Sequence, residues 1–106
     1  MSYRFMRIIV MFDLPVKTLE HKKEYRKFRR FLIKDGFIML QESIYSKLAL
    51  NQTVEKNLIS RIKKNRPLYG LVQILSITEK QFSSIECIVG SSKSDIVDSD
   101  ERVIVL

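Results

Sequence analysis

Asp13 is the residue of this chain whose type and setting come nearest to a reaction centre. It ends the almost wholly apolar run Met6-Arg7-Ile8-Ile9-Val10-Met11-Phe12, and Leu14-Pro15 and a segment crowded with Lys and Arg follow it. A carboxylate at the mouth of a buried strand, beside a basic surface, is where a divalent metal and a phosphodiester would meet. Mg²⁺ needs no full protein cage, because one or two carboxylates hold it while water and phosphate oxygens complete its shell. One Asp from each of two copies facing across a two-fold axis meets that need. The ion would polarise the phosphoryl oxygen and activate a water for attack on phosphorus. Asp is also common in turns such as Asp13-Leu14-Pro15, so residue type alone leaves the structural reading open.

The second feature is a row of cations. Lys22, Lys23, Arg26, Lys27, Arg29, Arg30 and Lys34 place seven positive charges in the thirteen positions 22–34, against Glu24 alone. At helical spacing Lys22, Arg26, Arg29 and Arg30 share one side, away from the apolar residues Tyr25, Phe28 and Leu32. Lys56, Arg61, Lys63, Lys64 and Arg66 repeat the theme further on. Two helices covering the same sheet face would join these into a surface that follows phosphates without reading bases. Lys22, Lys23, Arg26, Arg29, Arg30, Lys63 and Lys64 are the expected contacts. The competing reading is charge kept for solubility.

Other chemistries find little support. His21 is the lone histidine and reads as a surface residue, and no spacing makes a nucleophilic triad or a His/Cys metal site. Cys87 is alone, so no disulfide framework exists. The glycines at 36, 70 and 90 are isolated, which excludes a phosphate-cradling loop and gives no sign of a nucleotide cofactor. Tyr69 and the phenylalanines fall at core spacings, unlike a sheet that displays aromatics for RNA bases.

The net charge of +7 over 106 residues is unevenly spread. Residues 1–78 hold 16 Lys and Arg against 6 Asp and Glu, a net of +10, and residues 79–106 hold 3 against 6, a net of −3. A basic body with an acidic tail points to a polyanionic partner. No apolar run approaches the roughly 20 residues of a membrane span, and the first ten residues lack a signal-peptide cleavage region. A cytoplasmic protein is expected, with no membrane contact.

The elements that must position these residues follow from periodicity. Residues 6–12 read as a strand. Thr18 caps a helix from Leu19, with Glu20 in its first turn and Lys34 in its last, and Gly36 ends it. Residues 37–40 and 44–48 read as strands joined by the tight Gln41-Glu42-Ser43 connection. A helix over 53–65, with Val54, Leu58 and Ile62 inward, stops before Pro67. Residues 69–77 form another strand. The order β-α-β-β-α-β is the ferredoxin-like α+β pattern, an antiparallel sheet with both helices on one face. Beyond this core (1–78) lies an extension (79–106) within the same single domain. It holds a short strand at 86–89, a turn at 90–95 and a strongly apolar strand at 102–106. An extra apolar strand must pair at a sheet edge, and pairing with a second copy of the chain is expected.

Phe12-Asp13-Leu14-Pro15 after an apolar strand, a basic helix ending at Gly36-Phe37, and then Gln41-Glu42-Ser43-Ile44-Tyr45 together resemble one family over essentially the whole chain. It is the small CRISPR-associated endonuclease family, the second of the two universal spacer-acquisition proteins. The resemblance implies a ferredoxin-like homodimer whose C-terminal strand joins the partner's sheet. It implies that Asp13 is the metal-binding and catalytic aspartate, facing its copy across the dimer axis, with Mg²⁺ or Mn²⁺ as cofactor and RNA or double-stranded DNA as substrate. It also implies a role in spacer acquisition, in which the protein binds duplex DNA and bridges CRISPR integrase subunits. Members often carry Tyr before the Asp; here Phe12 stands there, leaving a phenolic hydroxyl missing near the metal. Two other expectations stay open beside this one. They are a free-standing ribonuclease toxin on the same fold and a non-catalytic nucleic-acid-binding module.

Overall fold

The computed structural model describes residues 5–90. Its elements are β1 (Met6–Asp13), α1 (Leu19–Lys34), β2 (Ile38–Gln41), β3 (Ile44–Ala49), α2 (Gln52–Lys64), β4 (Leu71–Thr78) and α3 (Glu79–Ser83). The four strands form one sheet in the order β2-β3-β1-β4, and every neighbouring pair is antiparallel. This is the ferredoxin-like α+β arrangement that the sequence leads one to expect.

Period-two alternation along β1 builds the core. Ile8, Val10 and Phe12 turn to one face, where they are buried with Phe28 and Leu32 of α1, Tyr45 of β3, and Leu58 and Ile62 of α2. Phe12 sits among rings, edge-on to Phe28 at 5.3 Å between centroids and stacked on Tyr45 at 5.7 Å. Arg7, Ile9, Met11 and Asp13 therefore face the other way. The missing hydroxyl of Phe12 thus belongs to the helix-covered core, not to the side on which Asp13 stands, contrary to the expectation from sequence.

Helix ends follow local capping chemistry. The Thr18 side chain accepts from the His21 amide at 3.0 Å. Helix α2 starts slightly earlier than expected, at Gln52, because the Asn51 side chain accepts from the Val54 amide at 2.8 Å. At the far end of α1 the Asp35 carboxylate receives two bonds from Arg61, at 3.0 and 3.2 Å, which ties the two helices together. The Lys47 ammonium donates to the Asp35 carbonyl.

The expected strand at 86–89 does not form. Thr78 and Gln81 make a capping box that turns the chain into α3 directly after β4. Ile88 and Val89 are then left exposed, with no strand partner among the described residues. Helix α3 returns towards β1, where Glu79 takes two 2.8 Å bonds from Arg7 and the Phe82 ring lies 4.5 Å from the Arg7 guanidinium carbon. The expected strand at 102–106 and most of the turn at 90–95 lie outside the described residues. No helix among the described residues is long and apolar enough to cross a membrane.

Candidate functional site

Asp13 is the last residue of β1, paired with Leu71 of β4, and it is exposed. It belongs to the sheet face that α1 and α2 leave uncovered. Its neighbours there are largely apolar: Met11 lies opposite Ile44 and Gln73, and Ile9 lies opposite Leu75. Ile38, Leu71 and Leu75 are 61%, 54% and 48% exposed on this face, far more than the core residues. The carboxylate is thus a charged group at the rim of an apolar surface.

The β2–β3 hairpin brings a second set of oxygens to that rim. The Phe12 amide donates to the Ser43 carbonyl at 3.0 Å, and Ser43 takes φ of 64°, a left-handed turn residue. This tucks Glu42 and Ser43 beside the end of β1. A hollow of about 240 Å³ results, lined by Asp13, Glu42, Ser43 and Gln73 together with Met11, Phe12, Ile44 and Leu71. Glu42 is an addition to the residues expected at the site. The tight connection that carries it is visible in sequence; the strand end it reaches depends on the pairing of β3 with β1.

The donor set consists of hard oxygens, two of its side chains being carboxylates, and it suits Mg²⁺ or Mn²⁺ better than a thiophilic ion. No group of three or more His, Cys, Asp or Glu converges among the described residues. Asp13 and Glu42 could therefore supply only part of a shell, as a protein does for Mg²⁺ when phosphate and water supply the rest.

The expected basic contacts are placed unevenly. Lys22, Lys23, Arg26, Arg29, Arg30, Lys63 and Lys64 are all exposed on the helices. Helix α1 begins, and α2 ends, at the Asp13 end of the sheet, so Lys22, Lys23, Lys63 and Lys64 share that end. Lys64 and Lys27 line one small hollow with Arg66 and Glu24, which joins the two helices' positive charge there. Arg29 is turned aside: its Nε donates to the Tyr45 hydroxyl at 2.9 Å, a bond that fixes a buried phenol. Arg30 and Lys34 lie towards the far end of α1.

Two aromatic expectations need correcting. Tyr69 is no core residue; it is partly exposed and its ring meets His21 edge-on at 4.9 Å between centroids. Its hydroxyl is held above the ordinary value of 10.0 by the Glu20 carboxylate, first as a hydrogen-bond acceptor and then as a charge. His21, expected on the open surface, is half-buried, and its Nδ1 is shielded from solvent with no hydrogen-bond partner among the described residues.

Comparison with known proteins agrees with this architecture. The solved structure described as the crystal structure of cas2 superposes with a TM-score of 0.58 at 23% identity, over 85% of this chain and 92% of that one, which shows a shared fold. A CRISPR-associated endoribonuclease Cas2 of Treponema denticola is 52% identical over 101 residues, 95% of this chain and 100% of the relative. A protein of the same name from Streptococcus mutans is 46% identical over 95% of this chain and 93% of its own length. The profile of the family described as CRISPR associated protein Cas2 matches residues 6–85, and with these relatives it shows that the chain belongs to the Cas2 family of CRISPR-associated proteins.

Proposed function

We propose that the chain is a metal-dependent phosphodiesterase of a CRISPR system that works as a homodimer. It would also bind duplex DNA along its helices and bridge integrase subunits during spacer acquisition. The observation that carries this reading is the position of Asp13, a solvent-facing carboxylate at the rim of a largely apolar sheet face. Packing that face against a second copy would remove exposed Ile38, Leu71 and Leu75 from water, worth about 25 cal/mol per Å² of apolar surface. The same packing would bring two Asp13 carboxylates to one rim.

In this reading Asp13, aided by Glu42, holds a divalent ion, which when bound supplies Lewis-acid polarisation of the phosphodiester. The Ser43 hydroxyl and Gln73 amide are available to hydrogen-bond substrate or water in the hollow. Lys22, Lys23, Lys63 and Lys64 hold phosphates at the same end of the molecule. Relatives named endoribonuclease favour RNA as the cleaved strand, and the breadth of the basic surface favours duplex binding. The endoribonuclease name also supports a second reading, cleavage without any integrase, which predicts arrest of growth on expression that Asp13→Ala relieves.

Labelled duplex DNA and single-stranded RNA incubated with Mg²⁺ and wild type or Asp13→Ala, with binding read in the same samples, test the proposal. Cleavage should fall about 100-fold or more in the variant, the equivalent of about 3 kcal/mol of transition-state stabilisation, while binding persists. Equal cleavage by both proteins would remove Asp13 from the mechanism.

A further inference from the structure

The turn between α2 and β4, residues 65–70, lies against the end of β1 that carries Asp13, and it is held there in two ways. The first is a close approach. Gly70 has φ of +90°, and a Cβ built on it would stand 2.6 Å from the Asp13 carbonyl oxygen and 2.7 Å from a Leu14 methyl. Real Cβ atoms do not approach backbone so closely, so this residue is glycine for two reasons, conformation and space. The loop therefore sits directly on the Asp13–Leu14 backbone, just where β1 leaves the sheet.

The second is a clasp to α1. The Leu68 amide donates to the Glu24 carboxylate at 3.1 Å. The Tyr69 ring packs edge-on against His21. His21 and Glu24, both in the first half of α1, thus hold Tyr69 and Leu68, and the next residue in the chain is Gly70. A loop joining two elements needs no such double attachment to a third. The attachment makes mechanical sense if it limits movement at the loop's tip.

We infer that the 65–70 turn is a strap that helps fix the Asp13–Leu14 backbone, with Gly70 permitting the close approach and Leu68 and Tyr69 locking it through Glu24 and His21. The inference rests on the reading of Asp13 as metal ligand only for its consequence in activity. Tyr69 is a positioning residue: it acts on Asp13 through Gly70 and touches no reacting atom. A carboxylate at a strand end, with open space around its side chain, holds one direction better the more firmly its backbone is held, and the strap adds to the pairing of Asp13 with Leu71. Metal ligands owe their geometry to such outer partners.

The test is backbone ¹⁵N relaxation of the full-length protein without metal, for wild type, Tyr69→Ala, Tyr69→Phe and Gly70→Ala, followed by Mn²⁺ titration of the same samples and of Asp13→Asn. Order parameters at Asp13 and Leu14 should fall from about 0.85 to about 0.6 in Tyr69→Ala, with Ile8 and Val10 unchanged. Tyr69→Phe keeps the ring on His21 and should recover most of the order. Mn²⁺ affinity should drop about tenfold in Tyr69→Ala, the lower end of what removing a supporting partner of a metal ligand costs. Rigid Asp13 and Leu14 in Tyr69→Ala would overturn the strap, whether or not Gly70→Ala folds. Unchanged Mn²⁺ binding by Asp13→Asn would instead remove the metal reading, and the order parameters would still decide the strap.

Discussion

The two faces of the sheet are made from the same strands and have opposite fates. On one, Ile8, Val10 and Phe12 are sealed beneath α1 and α2 with Phe28, Leu32 and Leu58. On the other, Arg7, Met11 and Asp13 alternate with them, and only α3 among the described helices reaches that side, through Glu79 and Phe82 against Arg7. Neighbours one residue apart, Phe12 and Asp13, thus belong to two regions with different tasks. The covered face stores stability. The uncovered face mixes exposed Leu71 and Leu75 with Arg7, Gln73 and Asp13 and is partly open to water; the proposed dimer and metal site both belong to it.

Substitutions at adjacent positions should separate the two faces. Phe12→Ala empties a ring-lined site and is expected to cost about 3–5 kcal/mol in denaturant unfolding, enough to threaten folding of a domain this size. Asp13→Ala, one residue on, should change stability by no more than about 0.5 kcal/mol, as surface changes do, while it removes cleavage. Similar destabilisation by both would mean that the faces are not divided as described.

A second change probes the role of the uncovered face. Leu75 lies midway along the edge strand β4, opposite Ile9, and is half-exposed. Leu75→Asp should leave the far-ultraviolet circular dichroism intact and convert a sedimenting dimer into a monomer at micromolar concentration. A dimer that survives the charge would place the interface elsewhere.

The helix side of the molecule answers to salt. Replacing Lys22, Lys23, Lys63 and Lys64 by Ala should weaken duplex binding about equally for all sequences and lower the salt slope of log affinity by up to about 0.9 for each phosphate no longer neutralised. An unchanged slope would show that these lysines touch no phosphate. The smallest effect is expected at the covered corner of the open face. The Glu79 carboxyl is held below its ordinary 4.5, first by the hydrogen bonds from Arg7, with burial opposing the shift. The pair's contribution is therefore complete above pH 4.5 and fades as pH falls through the lower folded value. Glu79→Gln should lower thermal stability slightly at neutral pH, and the difference from wild type should vanish in acid; a constant difference at all pH values would contradict the ion pair.

The division into faces is largely legible in the amino-acid order. The β-α-β-β-α-β succession, the Thr18 cap and the Tyr25–Phe28–Leu32 stripe depend on local periodicity, and local periodicity survives folding. What stays hidden depends on register and on which partner a side chain finds. Arg29 reads as one more phosphate ligand because nothing near it in sequence shows that the Tyr45 hydroxyl lies within 2.9 Å. Glu42 joins Asp13 only through the pairing of β1 with β3. Tyr69 reads as a core residue because an aromatic next to an apolar run looks buried, whereas its ring is used against His21. Residues 86–89 are apolar enough for a strand, but the capping box at Thr78 directs the chain away first.

If Asp13 is one half of a site that a second copy completes across the uncovered face, cleavage must follow assembly. Mg²⁺-dependent cleavage by wild type, followed as specific rate against protein concentration from nanomolar to micromolar, decides this. The specific rate is expected to rise with concentration and level off as sedimentation shows the dimer to be complete. A specific rate that stays constant while the protein sediments as a monomer would contradict a shared site.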